Sequence, residues 1–252
     1  IREDPTLVQD VEHRGRNLMA RWNRALSDTN AFQVQVYYDR IGYDSASFEQ
    51  QRTTYDLEVQ QNVRLASRHN VVWGGGFRSM RDRMSTGFPG FVDVLPLQRR
   101  DEIVTYFAQD TVALVPERLN LTAGVKYERT DYADSEWLPN VRLAYMPSPH
   151  QTWWAAASEA TRVPSRLESD LTFFGSIRPG DTFGSEHVRA YELGHRRLVS
   201  SQFWYDVAVF HNDYDDLRTT EVATVANLMR GDTRGVEVPA RWEPATNWRI
   251  DA

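Results

Sequence analysis

Residues 53–78 read TTYDLEVQQNVRLASRHNVVWGGGFR. In the first half, 53–65, the odd positions are mostly threonine or large apolar residues, and the even positions are mostly charged or amide residues. A period of two predicts a β-strand with one face in an apolar medium and the other in water. The polar segment 67–70 predicts a turn, and 71–78 alternates again as the returning strand. The stretch therefore predicts a β-hairpin.

The length of the first strand of this hairpin decides the class of protein. Thirteen residues at ~3.3 Å each span roughly 43 Å, whereas strands of soluble domains usually span ~17–20 Å. A strand of that length tilted by about 45° crosses a hydrocarbon core of ~30 Å. We therefore predict a transmembrane β-hairpin.

The same alternation recurs along the whole chain and predicts about twelve strands. Short turns at one end of the strands alternate without exception with longer polar links at the other end, which is typical of an outer-membrane barrel. Seven of the eight tryptophans lie close to a short turn, as expected of an aromatic belt at a membrane interface, although tryptophans also close the ends of soluble cores. The long links are predicted at 42–51, 79–100, 131–138, 163–187 and 213–227.

The composition is compatible with an all-β membrane protein. The mean hydropathy of −0.57 looks soluble, but a barrel strand is apolar only at every second residue. The net charge of −6 argues against nucleic acid as a partner, and the lack of cysteine excludes disulfides and thiolate metal sites. Of the 29 basic residues only Lys126 is a lysine. Arginine suits carboxylate or phosphate recognition, but an arginine-rich genome composition is the simpler explanation of the bias and the one we favour.

Four phrases in the second half resemble the barrel of TonB-dependent outer-membrane receptors. They are SEATRVPS at 158–165, AYELGHR at 190–196, FHNDYDDL at 210–217 and RGVE at 234–237. Each phrase alone is weak, but their order and spacing make the resemblance fairly specific. The phrases are architectural, and none of them is a ligand site.

The resemblance implies a bacterial outer-membrane receptor with a barrel of about 22 strands around an N-terminal plug. Its implied partners are outer-membrane lipid, a scarce nutrient such as a ferric siderophore, and a TonB-type energy transducer contacted through the N-terminal region. This sequence shows no plug, no transducer-binding box before the first strand and no terminal strand ending in an aromatic residue. We therefore expect residues 1–252 to be an incomplete antiparallel up-and-down barrel, about 12 strands of the implied 22.

Motifs for other chemistry are weak. No G-x-S-x-G, H-E-x-x-H or P-loop spacing occurs, so we expect neither an enzyme nor a bound cofactor. The glycines 74–76 predict a bulge or a close backbone approach. The carboxylates of Asp213, Asp215 and Asp216 could hold Ca²⁺ or form a solvated loop end.

The longest link, 163–187, together with the residue at its entry, carries the candidate ligand-binding residues. Adjacent aromatic rings with nearby guanidinium groups suit an anionic aromatic ligand such as a catecholate-type ferric chelate. Alternatively, the phenylalanines only pack the link onto its neighbours. The candidates are Arg162, Arg166, Phe173, Phe174 and Arg178.

Two other functions remain open on the sequence alone. One is a plugless outer-membrane porin or a barrel-borne enzyme, and the other is a soluble all-β binding protein. The identity of the transported ligand does not follow from these residues.

Overall fold

A computed structural model of the chain describes residues 11–131, 133–174, 178–179, 183–220 and 224–252. Within those ranges no helix is long and apolar enough to cross a bilayer. The elements are β1 (Glu12–Ser27), β2 (Asn30–Ser45), β3 (Phe48–Leu65), β4 (His69–Thr86), β5 (Val92–Val94), β6 (Gln98–Val115), β7 (Leu119–Thr130), β8 (Glu136–Ser148), β9 (Gln151–Arg162), α1 (Arg166–Asp170), β10 (Leu171–Phe173), β11 (Arg178–Pro179), β12 (Glu186–Ser200), β13 (Phe203–Thr220), β14 (Thr224–Glu237), β15 (Ala240–Ala245) and β16 (Trp248–Asp251).

The long strands form one antiparallel sheet in which each strand pairs with the next along the chain. The order is β1-β2-β3-β4-β6-β7-β8-β9-β12-β13, after which β14 and β15 both pair with β13. These two segments are one strand interrupted at Pro239, whose ring removes a backbone donor. Counted so, about twelve strands form the wall, as predicted. Within the described residues β1 does not pair with β16, so the sheet is part of a barrel.

Several strands run further than their polarity suggests. The links predicted at 42–51 and 213–227 are wrong, because β2 and β3 stay paired out to Ser45 opposite Phe48, and β13 and β14 continue through most of the second range. Polar residues on both faces mark where a strand leaves the hydrocarbon. The backbone ladder does not end there, since its hydrogen bonds form equally well with water on both sides. The predicted regular alternation of short and long connections is therefore also wrong.

The two long connections that remain, 87–97 and 163–185, contact each other through their described residues. β5 pairs with β10, with Val94 opposite Leu171. Together with α1 these two strands form what we call the inner lid. Met84 on β4 and Val94 on β5 are only 2% and 1% exposed, so a small apolar core lies between the lid and the wall.

The two faces of the sheet separate lipid-facing from lumen-facing residues. One face carries Tyr55 and Leu57, whose apolar side chains are 59% and 43% exposed, as expected of residues that face lipid. On the other face the lid covers Asp82 and Asp101, so this face is the lumen. Strand register places Asp56 on the lumen face too, as the sequence alternation predicted.

The tryptophans follow the belt prediction only in part. Trp153 faces outward near a short turn, but its neighbour Trp154 faces the lumen because successive strand residues point to opposite faces. The Trp154 ring lies 5.7 Å from Cζ of Arg142, and Trp204, also turned inward, lies 5.8 Å from Cζ of Arg241. The outward belt comprises Trp22, Trp73, Trp153, Trp242 and Trp248.

The glycines at 74–76 reflect a close approach rather than a bulge. Register between β3 and β4 is continuous through them. A Cβ at Gly74 would lie 2.3 Å from the Val59 carbonyl oxygen and 2.7 Å from the Phe107 ring. Glycine is required here because the lumen-facing ring of the next strand covers the backbone.

Candidate functional site

Helix α1 of the inner lid begins with a capping box. The Glu168 amide donates to Oγ of Ser165 at 3.3 Å, and the Ser165 amide donates to the Glu168 carboxylate at 2.8 Å. The sequence signal for this start, S-x-x-E, is visible at 165–168 but was not used in the prediction. A helix of five residues is too short to be stable alone, so contacts with the barrel wall must hold it.

Arg166 joins α1 to the lumen face. Its side chain is 1% exposed, with Nη1 3.4 Å from Oδ1 of Asp82 and Nε 3.2 Å from Oδ2 of Asp170. It also donates to the carbonyl oxygen of Pro96 in the other lid connection. This candidate ligand-binding arginine is therefore already enclosed by protein partners.

The partners of Arg166 belong to a charge-balanced network. Arg52 donates to Asp82 at 2.6 Å, while Arg99 contacts Asp101 at 2.6 Å and Asp170 at 2.8 Å. Three guanidinium groups thus face three carboxylates, which is how buried charges are tolerated. The sequence analysis missed this network because its members lie on four elements far apart in the chain.

Arg162 anchors the opposite side of α1. Its Nε lies 2.6 Å from Glu186, and its Nη1 lies 3.0 Å from Glu168. Arg218 on β13 completes the group, with Nη1 2.6 Å from Glu168. Two guanidinium groups again balance two carboxylates, so Arg162 brings little free positive charge to a ligand.

Glu168 makes the lid sensitive to acid. Burial raises its pKa, but hydrogen bonds from Arg162 and Ser165 outweigh burial and lower the pKa to about 2, well below the ordinary value of a glutamate. A carboxylate whose folded pKa is depressed stabilises the fold above its unfolded pKa and loses that contribution as the pH falls through the folded value. We expect the lid to loosen progressively between about pH 5 and pH 2.

Hydrogen exchange of the Ser169 amide, corrected for the intrinsic exchange rate, measures this loosening. The amide donates to the carbonyl oxygen of Ser165 at 3.0 Å within the lid helix, so it is protected only while the helix is formed. The control is Glu168→Gln, which removes the titrating group. Its Ser169 amide should already exchange quickly at neutral pH and should respond less to acid. An acid response equal to that of the native chain would show that other groups control the lid.

The aromatic candidates lie on the exposed surface of the lid. Phe174 is 60% exposed, and its ring centroid lies 4.0 Å from that of Phe91, which is 58% exposed. The Phe174 amide donates to the Phe91 carbonyl oxygen at 2.9 Å, so the two connections hold the ring pair together. Phe173 is 38% exposed and pairs with Val92. Phe91 was not predicted as a site residue, although the segment GFPGF at 87–91, with two phenylalanines between turn-forming residues, was visible.

The backbone of Phe174 has φ 50°, in the left-handed region that a bulky side chain seldom adopts. Backbone conformations of this kind persist when surrounding contacts impose them, and they cluster at ligand sites. The aromatic pair is thus presented in a fixed geometry.

The last candidate, Arg178, lies in β11, which pairs in parallel with β14 so that Arg178 is opposite Thr224. Its side chain lies outside the described part of the structure.

The acidic residues near the end of β13 are engaged by neighbouring side chains. Asp215 contacts Arg189 at 2.8 Å, while Asp213 and Asp216 contact histidines. Among the described residues no group of three or more His, Asp or Glu side chains is placed to hold a metal ion.

The geometry therefore divides the five predicted residues. Arg162 and Arg166 fix the lid to the wall, and Phe173 and Phe174 lie on its exposed surface. An exposed, preorganised aromatic pair can stack against a flat or aromatic ligand, and it offers no group for covalent or acid–base chemistry.

Comparison with known proteins agrees with this architecture. The siderophore receptor PirA from Pseudomonas aeruginosa superposes with a TM-score of 0.74 at 15% identity, covering 98% of this chain and 53% of that one. The hemophore receptor HasR of Serratia marcescens, solved as a double mutant with its hemophore HasA and heme, gives 0.77 at 16% identity, covering 93% and 47%. The ferric yersiniabactin uptake receptor FyuA from Yersinia pestis gives 0.70 at 16% identity, covering 95% and 41%.

The chain thus spans about half the length of these structures. At such identities the likeness shows the fold alone. No curated protein matches the sequence. The family model described as "TonB dependent receptor-like, beta-barrel" matches residues 2–252, so the chain belongs to the β-barrel family of TonB-dependent receptors.

Proposed function

We propose that the chain forms part of the barrel wall and the cargo-binding lid of a bacterial outer-membrane receptor. The receptor takes up a metal chelate, and we propose that this chelate is a ferric siderophore. The family is one of outer-membrane receptors, and the structural neighbours include a siderophore receptor and a ferric yersiniabactin uptake receptor. One neighbour is a hemophore receptor, so the choice of a ferric chelate rests on the lid and not on the fold.

The observation that carries the proposal is the exposed ring pair of Phe91 and Phe174 on a lid fixed to the lumen wall. Large aromatic side chains exposed together are unusual on a surface in contact only with water. Their fixed position lowers the entropic cost of binding a rigid aromatic ligand.

Within this proposal the predicted residues have two roles. Phe173, Phe174 and Arg178 contact the cargo, with Phe91 as a fourth member. Arg162 and Arg166 act through the lid, because their charges are already balanced by carboxylates. Arg178 is then the residue that pairs with the negative charge of the cargo.

Uptake through such a barrel requires energy, since the cargo is scarce outside the cell. We therefore propose a TonB-type energy transducer as a partner, acting through a plug in the barrel lumen. The lumen face offers charged and amide groups, including Asp56 and Lys126, that suit a polar protein surface.

The test is cargo affinity in the complete receptor. A panel of ferric catecholate and ferric hydroxamate chelates and haem is titrated against the native protein and against Phe91→Ala/Phe174→Ala. We expect a ferric catecholate to bind, and the double variant to raise its Kd at least tenfold, about 1.4 kcal/mol. Arg178→Gln tests the charge contribution separately.

The matched control is Tyr43→Ala/Phe48→Ala, which removes another aromatic pair, with centroids 5.8 Å apart, at the same end of the barrel. Its affinity should stay native. If no ferric chelate binds, the proposed cargo is wrong. If one binds and both double variants bind it equally well, the lid is not its site.

A further inference from the structure

The seam between β8 and β9 is open at the end of the barrel that carries the lid. Within the described residues the two strands pair only as far as Asn140 opposite Ser158. On their other sides both strands continue, β8 beside β7 and β9 beside β12. The segments 136–139 and 159–162 therefore have a partner strand on one side only. The gap begins at Pro139, and proline is typical of a strand edge because it has no backbone donor.

A cavity of about 650 Å³ occupies this gap. It is lined by Trp137 and Glu159, which face outward, and by Leu138 and Ala160, which face the lumen. Successive residues of a strand point to opposite faces of the sheet, so a cavity lined from both faces passes through the wall. We call this passage the side window.

The outward rim of the window carries charged side chains. Arg189 contacts Asp215 at 2.8 Å and Glu159 at 4.0 Å, and Arg230 contacts Asp215 at 3.2 Å. Charges on the outward face are destabilising within the bilayer, and backbone groups without a partner are not tolerated in hydrocarbon. The window therefore opens to water and not to lipid.

The lining of the window has an excess of negative charge. Besides the carboxylates that balance the two arginines, Glu136 and Asp216 line the cavity. His187 lies between them, with Nε2 3.2 Å from Glu136 and Nδ1 3.3 Å from Asp216. Two negative charges remain if the imidazole is neutral and one remains if it is protonated. A passage lined by one sign of charge raises the local concentration of the opposite ions.

We infer that the side window is a route by which water and small cations reach the lumen without movement of the lid. Buried ion pairs of Arg166 fix the lid to the wall, and no lining residue of the window belongs to α1, β5 or β10. Counter-ions and displaced water can therefore move through the wall while the lid stays docked. The inference concerns the wall and is independent of the cargo.

The first test measures access to a thiol in the window. The chain has no cysteine, so Ala160→Cys supplies its one thiol, and any cysteine elsewhere in the complete receptor is replaced by serine. Cationic and anionic methanethiosulfonates of similar size are compared, each rate being divided by the rate with a free thiol. We expect the cationic reagent to react at least tenfold faster. Equal corrected rates would overturn the inference.

The same thiol tests whether the lid controls access. Arg166→Met, which should undock the lid, is added to Ala160→Cys, and undocking is verified by hydrogen exchange of the Leu95 amide. The rate with the cationic reagent should stay within twofold of that of Ala160→Cys alone. A tenfold rise would show that the thiol is reached past the lid and not through the window.

The second test asks whether ions that enter the window reach the lumen. Its reporter is Ala156→Cys, on the lumen face of β9, where the ladder with β8 is intact. The reporter lies four residues from Ala160, about 13 Å along the strand. Charges at the window do not act directly on it at physiological salt, because they are screened over about 8 Å. A thiol that reacts with neither reagent would show that the window does not lead into the lumen.

Two double variants carrying this reporter identify the route. Glu136→Gln/Asp216→Asn removes the excess charge of the window, and the ratio of the cationic to the anionic rate should fall at least fivefold. The matched control is Asp213→Asn/Asp232→Asn, which removes two carboxylates that lie opposite each other on the same outward face. Its ratio should stay native. Equal ratios in the two variants would mean that the reagents enter the lumen elsewhere.

Discussion

Replacing Arg166 by Met in the complete receptor should undock the inner lid. The substitution leaves Asp82 and Asp170, whose side chains are 1% and 6% exposed, without one of their cationic partners. Breaking a buried ion pair from one side costs about 3–5 kcal/mol, because a desolvated charge is left uncompensated. The wall should remain folded, since its strand ladders do not involve α1.

Hydrogen exchange locates this effect. The Leu95 amide donates to the Asp170 carbonyl oxygen at 3.1 Å and should lose most of its protection. The matched control is Arg162→Met, which removes a lid arginine whose side chain is 48% exposed. Arg218 still contacts Glu168 at 2.6 Å in this variant, and a pair with one exposed partner is worth less than a fully buried one, so its lid should lose less protection than that of Arg166→Met. Equal loss of protection in the two variants would mean that burial does not determine how much each ion pair stabilises the docked lid.

Replacing Leu57 by Arg should impair assembly of the barrel. Leu57 faces outward between Val36 and Phe77 on the neighbouring strands, within the apolar band. An arginine at the bilayer midplane on the lipid face costs about 2–4 kcal/mol. Leu57 lies eight residues, about 26 Å along the strand, from the end of β3 at Leu65, which limits the access of an arginine side chain there to water.

The control is Gln60→Arg on the same strand, which faces the lumen opposite Gly74. A charge in the lumen costs little, because water and polar groups surround it. Heat-modifiable gel mobility and urea unfolding in the membrane measure assembly and stability. If the two variants behave alike, the assignment of faces is wrong.

The sequence by itself determined the strands, their antiparallel order and the faces they present. Alternation at 53–65 is a local property that depends only on the medium that each side chain contacts. It can therefore be recognised without knowing which strands pair with this one. Turn residues such as those at 67–70 likewise act over a few residues. At 42–51 both faces of the strands become polar, and the strand end was therefore predicted too early. Composition reports the surrounding medium and not backbone pairing.

Only the tertiary structure decided what the candidate residues do. Arg166 and Phe174 lie eight residues apart in one irregular stretch, and nothing local distinguishes a buried anchor from an exposed ring. Asp82 gives Arg166 its role, and it lies on β4, far from α1 in the chain. Charge pairing across strands is a long-range property, because hydrogen-bonded register and not sequence distance sets which side chains meet.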